Sequence, residues 1–202
     1  MRGRAMRYFA TVMLVTAVTV GITCYAAAGS SSIGMTITSD REPNDFQDPK
    51  NTKYELNGGY TFDSALILGG SFQFSDTAFS SRASQNLEGT AGYRLQLNHA
   101  FSVTGSAGTG EHWRQNPGVA FPYYVLRIGA GLDLSDHVTW DVISYRYRNA
   151  FDPNDNYNTP QVATGVTYKL DSDTSVSAKI MRNWKDGEPS STGVSLGLRK
   201  KF

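Results

Sequence analysis

The chain has one cysteine, Cys24, in 202 residues, and that scarcity removes whole architectures. A single thiol closes no intramolecular disulfide, and thiolate metal sites need several. Long apolar runs are also missing. After residue 28 no segment approaches the about 20 apolar residues that a membrane-crossing helix needs. Charge of one sign is lacking as well, with 19 Lys and Arg against 18 Asp and Glu. No basic field for a nucleic-acid partner is present.

The first 28 residues differ from the rest. Arg2, Arg4 and Arg7 precede an apolar run from Tyr8 to Thr23, and Ala26-Ala27-Ala28 follows. This is the order of a secretory signal peptide, with cleavage expected after Ala28. The run is short for a membrane anchor and no stop-transfer flank follows it. Acylation of Cys24 would favour a small residue just before it and a Leu-like residue two positions earlier. Thr23 and Gly21 stand there instead. The expected domains are a signal peptide, 1–28, and one exported domain, 29–202. Mean hydropathy is negative, so if this domain spans a membrane it does so as a closed barrel of strands.

From Ser31 onward apolar and polar residues alternate with period two, the signature of strands. Ten segments are expected, at 31–39, 52–62, 65–75, 86–97, 101–113, 122–134, 137–149, 162–170, 174–184 and 192–202, with eight or twelve the alternatives. Short turns fall at Asp63-Ser64, Asn98-His99-Ala100, Ser135-Asp136 and Asp171-Ser172-Asp173. Longer polar loops are expected near 40–51, 76–85, 114–121, 150–161 and 185–191. Strict alternation of short and long connections is the pattern of an antiparallel up-and-down transmembrane β-barrel, with tight turns on the periplasmic side.

One face of the strands carries large apolar residues, among them Ile33, Met35, Ile37, Tyr54, Leu56, Leu66, Leu68, Tyr93, Leu126 and Ile128. Aromatic residues gather at strand ends. Phe62, Phe101, Trp140, Tyr168 and Phe202 lie near the short turns, and Tyr54, Phe74, Tyr124 and Trp184 near the long loops. Two girdles around an apolar band suit a wall that faces lipid. A soluble exported barrel or sandwich also alternates. The opposite face is rich in glycine and charge, which suits a cramped lumen better than an exposed strand.

The tail Val194-Ser195-Leu196-Gly197-Leu198-Arg199-Lys200-Lys201-Phe202 resembles the C-terminal strand of bacterial outer-membrane barrel proteins. Val194, Leu196, Leu198 and Phe202 match, and Lys200 departs where an apolar residue is usual. The resemblance implies recognition by the barrel assembly machinery. It also implies residence in a Gram-negative outer membrane, with outer-membrane lipid and lipopolysaccharide as surroundings.

Candidate chemistry lies on the inward face. In Ser144-Tyr145-Arg146-Tyr147-Arg148, strict alternation from Trp140 would turn both arginines to lipid, where each costs about 2–4 kcal/mol near the midplane. A bulge near Val142 would turn them inward; the alternative places them above the membrane, on the extracellular rim. With the bulge, the lumen gathers Arg94, Arg127, Arg146, Arg148, Lys169, Lys179, Arg199 and Lys201 against Glu55, Glu88, Asp133 and Asp141. Basic rings favour anions in pores, so a narrow channel for small, anionic solutes is expected. The segment Tyr124 to Arg148 resembles the porins for acidic oligosaccharides of the oligogalacturonate type, without a diagnostic motif. The alternative is a barrel plugged by its own side chains that acts through its loops.

Catalysis, cofactors and metals are not expected. His99 and His137 sit beside short turns. In Glu111-His112-Trp113-Arg114, Arg114 stands where an outer-membrane lipid deacylase would carry its serine. Asp152-Pro153-Asn154-Asp155-Asn156 lacks the glycine and terminal glutamate of a helix-loop calcium site. This stretch and loop 40–51, with Asp40, Glu42, Asp45 and Asp48, read as solvated loops.

Overall fold

The structure, a computed structural model, describes residues 29–78, 83–115 and 118–202. The expected signal peptide and Cys24 lie outside the described residues, as do parts of loops 76–85 and 114–121. Ten strands are present: β1 (Gly29–Arg41), β2 (Pro49–Phe62), β3 (Leu66–Thr77), β4 (Ala83–Gln96), β5 (Phe101–Arg114), β6 (Val119–Asp133), β7 (Val138–Ala150), β8 (Gln161–Lys169), β9 (Thr174–Lys185) and β10 (Glu188–Lys201). One short 3-10 turn, Pro153–Asp155, lies between β7 and β8. Every strand pairs antiparallel with its sequence neighbours, and β1 pairs with β10 from Ser32↔Lys201 to Arg41↔Thr192, which closes the barrel.

The side-chain arrangement is that of a membrane wall. Ile33, Met35, Ile37, Tyr54, Leu56, Leu126, Ile128, Ile180, Leu196 and Leu198 are exposed on the outside. Trp140, Tyr168 and Phe202 are exposed at the periplasmic end, where β1 begins and β10 ends. At the other end Tyr124 packs against Tyr147 and Phe151, with ring centroids 6.0 and 5.6 Å apart.

The expected bulge is present. Ala130 pairs with Ile143 and Gly131 with Asp141, so Val142 is the extra residue of β7. The same irregularity appears against β8, where Asp141↔Gly165 is followed by Ser144↔Ala163. Before the bulge Trp140 faces out, and after it Ile143 does. Arg146 and Arg148 therefore turn inward.

Two expected connections are corrected. Residues 185–191 do not form a long loop, because β9 and β10 join through Asp186-Gly187 alone, with Lys185 paired to Glu188. Asp186 has φ 55° and Gly187 φ 86°, the two positive values that a tight hairpin turn requires. The polar stretch that suggested a loop is strand that continues above the bilayer. Ser190 is bulged out where Pro189, which has no N–H for the ladder, follows Glu188. Strict short–long alternation fails at this hairpin and again between β5 and β6. There the connection expected at 114–121 spans only 115–118, no longer than the turns 97–100, 134–137 and 170–173. Asp40 is corrected too: it belongs to β1 and is 1% exposed inside the barrel, not part of a solvated loop.

Candidate functional site: the lumen

Filling is uneven along the barrel axis. Among the described residues, every buried side chain lies in the extracellular half, including Asp40, Gln73, Asn86, Glu88, His112, Tyr123, Val125 and Arg148. The opposite half is hollow. A cavity of about 540 Å³ runs from there, between small residues such as Ser32, Gly34, Gly59, Thr61, Ser175 and Ser177, up to Glu88 and Gln73 of the filled half.

Glu88 on β4 organises the filled half. Its Oε2 accepts from Arg148 Nε at 2.8 Å and from Tyr123 OH at 3.1 Å, and its Oε1 accepts from Arg127 Nη2. Arg148 also donates from Nη1 to Gln73 Oε1 at 3.2 Å, and its guanidinium lies 5.6 Å from the centre of the Tyr123 ring. Gln73 in turn accepts from Asn86 Nδ2 at 3.4 Å. Local sequence explains this gathering: 86 and 88 on β4, and 121, 123, 125 and 127 on β6, share the inward parity of their strands. Gly110 makes room for the tyrosine, since a Cβ there would come within 2.6 Å of the Tyr123 ring.

Charge inside the barrel is unbalanced. Lys53, Arg94, Arg127, Arg146, Lys179 and Arg199 line the cavity against Glu55, Glu88 and Asp141. Lys53 pairs with Asp40, and Lys179 Nζ lies 2.9 Å from Asp141 Oδ2. Arg127 and Arg146 are direct cross-strand partners, an arrangement of like charges that is unfavourable by itself. Arg146 Nε is buried with no hydrogen-bond partner, and so is Arg148 Nη2.

Of the residues expected in the lumen, Arg94, Arg127, Arg146, Lys179, Arg199, Glu55, Glu88 and Asp141 line the cavity, and Arg148 is packed behind Glu88. Asp133, Lys169 and Lys201 are exposed at the periplasmic rim, outside the cavity lining. Lys53, Asp40, Gln73, Asn86 and Tyr123 were missed. Parity was the available signal: Lys53 is two residues from Glu55, and Tyr123 four from Arg127.

The histidines are placed as their positions suggest. His137 Nδ1 lies 3.3 Å from the Lys169 carbonyl at a periplasmic turn. His112 faces the upper lumen, donates from Nδ1 to Asn86 Oδ1 at 2.9 Å, and packs on Phe121 and Tyr157. At the tail, Val194, Leu196, Leu198 and Phe202 all face outward and are exposed.

Comparison with known proteins agrees with this architecture. No curated protein sequence matches the chain. Among solved structures, the NanC porin superposes with a TM-score of 0.52 at 8% identity, over 84% of this chain and all of the porin. An outer membrane channel from Pseudomonas putida F1 gives 0.50 at 7% identity, over 89% of this chain and 97% of the other. At such identity the likeness is one of fold. Residues 13–202 match the model of the outer membrane protein beta-barrel domain, and the chain belongs to that family of Gram-negative outer-membrane barrels.

Proposed function

We propose that the barrel is a narrow outer-membrane channel whose lumen favours small anionic solutes. The observation that carries this reading is the pairing of Arg127 with Arg146 beside the 540 Å³ cavity, with Glu88 the one carboxylate bound to the cluster. Two guanidiniums side by side in a confined space attract mobile anions, because rings of basic side chains select anions in pores. In this reading residues 1–28 serve as the export signal, and Val194, Leu196, Leu198 and Phe202 serve the barrel assembly machinery. Lipid and lipopolysaccharide surround the apolar band.

The test is single-channel current from the refolded barrel, residues 29–202, in a planar bilayer under a salt gradient. Stepwise conductance with an anion-biased reversal potential is expected, and Arg127→Glu with Arg146→Glu should move that potential toward cations. Unchanged selectivity in the double variant would defeat the anion reading. A second reading, a plugged barrel acting through its loops, draws on the filled extracellular half. It predicts a folded, silent barrel.

A further inference from the structure

We infer that the loop between β7 and β8 is a lid on the extracellular mouth, latched through Tyr157, and that its release opens the way into the lumen. The inference rests on the channel reading and adds its regulation.

The loop does not stand away from the barrel. After the exposed Phe151, Asp152 caps the 3-10 turn by accepting from the Asn154 N–H at 2.9 Å. The chain then turns back and places Tyr157 in the mouth. Its hydroxyl donates to Asn86 Oδ1 at 2.8 Å. Its ring centre lies 4.7 Å from His112, 5.1 Å from Tyr123 and 5.2 Å from Phe121. A loop rooted on β7 and β8 thus reaches side chains of β4, β5 and β6.

Tyr157 also stands at a partition. Outside it is a vestibule of about 400 Å³, lined by Tyr157, His112, Phe121, Arg114 and Lys185 among others. Inside is the 540 Å³ lumen cavity, and the two share no lining residue. Between them lie the buried Asn86, Tyr123 and Arg148. From the ring inward a single hydrogen-bonded chain runs Tyr157, Asn86, Gln73, Arg148, Glu88, Arg127.

The flanks of the loop are tied to the barrel by backbone bonds. Phe151 and Thr159 donate to the Pro122 and Arg148 carbonyls, and the Asn158 and Pro160 carbonyls accept from Asp186 and Trp184. The weakly held part of this partition is therefore the stretch from Asp152 to Tyr157. The strands are fixed by backbone ladders on both sides. Between Asp152 and Tyr157, the hydrogen bonds to the rest of the barrel among the described residues are two side-chain bonds. They are Tyr157 to Asn86 and Asn156 Nδ2 to Asp186 Oδ2, at 2.8 and 2.9 Å. Segments held by few such bonds open far more readily than ladders. With the ring withdrawn, Asn86 loses its outer anchor, and the layer of Asn86, Tyr123 and Arg148 is what still separates Arg114 and Lys185 of the vestibule from the cavity.

Asn156→Cys with Asp186→Cys tests the latch, because those side chains are hydrogen-bond neighbours and residues 29–202 hold no other cysteine, with loss of free thiol establishing the oxidised pair before recording. Recorded in planar bilayers, the oxidised pair should be nearly silent and should recover wild-type currents on reduction. Tyr157→Ala should raise open-state occupancy on the order of tenfold, since it removes ring contacts and a hydrogen bond together. Tyr157→Phe keeps the ring and should fall between. Equal currents from the oxidised and reduced pair, or wild-type behaviour of Tyr157→Ala, would overturn the lid and leave the channel standing. Silence from every variant, with folding shown by heat-modifiable migration, would overturn the channel and the lid together.

Discussion

At the scale of single residues, Glu88 matters most. It is 3% exposed and joins Arg127, Arg148 and Tyr123. Removing one partner of a buried ion pair leaves the other charge uncompensated, at a cost of about 3–5 kcal/mol. Glu88→Ala is therefore expected to lose about that much stability in urea unfolding of the folded barrel in lipid vesicles. Loss of less than about 1 kcal/mol would show that water or mobile ions replace the carboxylate. At the periplasmic side, Asp171 Oδ1 accepts from the N–H groups of Asp173 and Thr174 at 2.8 and 2.7 Å, and these bonds hold its pKa below the ordinary 3.8. A depressed carboxylate stabilises the fold above its unfolded pKa and loses that contribution as pH falls through the folded value. The amide shifts of Asp173 and Thr174, followed by NMR on acidification, should inflect below 3.8, and Asp171→Asn should abolish the inflection.

Among elements, β7 shows how far sequence reasoning reaches. Two arginines with a facing set of Ile143, Tyr145 and Tyr147 demanded a change of parity, and the ladder contains it at Val142. Deleting Val142 removes the extra residue and leaves a regular ladder, with Trp140 and Ile143 still outward and Arg146 and Arg148 still inward. The deletion variant should therefore still reach the heat-modifiable folded form in vesicles, whereas failure to fold would show that the inward facing of the arginines needs the bulge itself. Gly187 offers a milder test in the hairpin, where φ 86° is costly for any residue with a Cβ. Gly187→Val should destabilise by about 1–2 kcal/mol in the same urea assay. All ten strands were legible because lipid outside and a polar lumen inside impose opposite demands on alternate residues. The hairpin at Asp186-Gly187 was not, because above the bilayer both faces of a strand meet water and β10 there reads Glu188-Pro189-Ser190-Ser191, like a loop. Although Lys53 and Asp40 were missed and Asp133, Lys169 and Lys201 lie at the rim, many of the lumen charges were legible by parity. Their partners were not: which arginine meets Glu88 depends on register across β4 to β7, and the entry of Tyr157 depends on a loop with no periodic pattern.

For the whole molecule, the usual rule of apolar inside and polar outside is reversed, and the cost of a charge depends on which side of the wall it meets. Leu126→Arg, on the outer face at mid-strand, should cost about 2–4 kcal/mol in urea unfolding. Thr61→Arg, facing the hollow periplasmic half, should stay within about 0.5 kcal/mol of the parent. Similar costs for the two would contradict the assignment of faces. The uneven filling has an electrical consequence. A water-filled half conducts, so a potential across the membrane falls mainly over the packed half, where Arg148, Glu88 and Tyr157 lie. Each unit charge carried across that packed half is worth about 2.3 kcal/mol per 100 mV, about twice what the same displacement would sense in a uniformly filled tube.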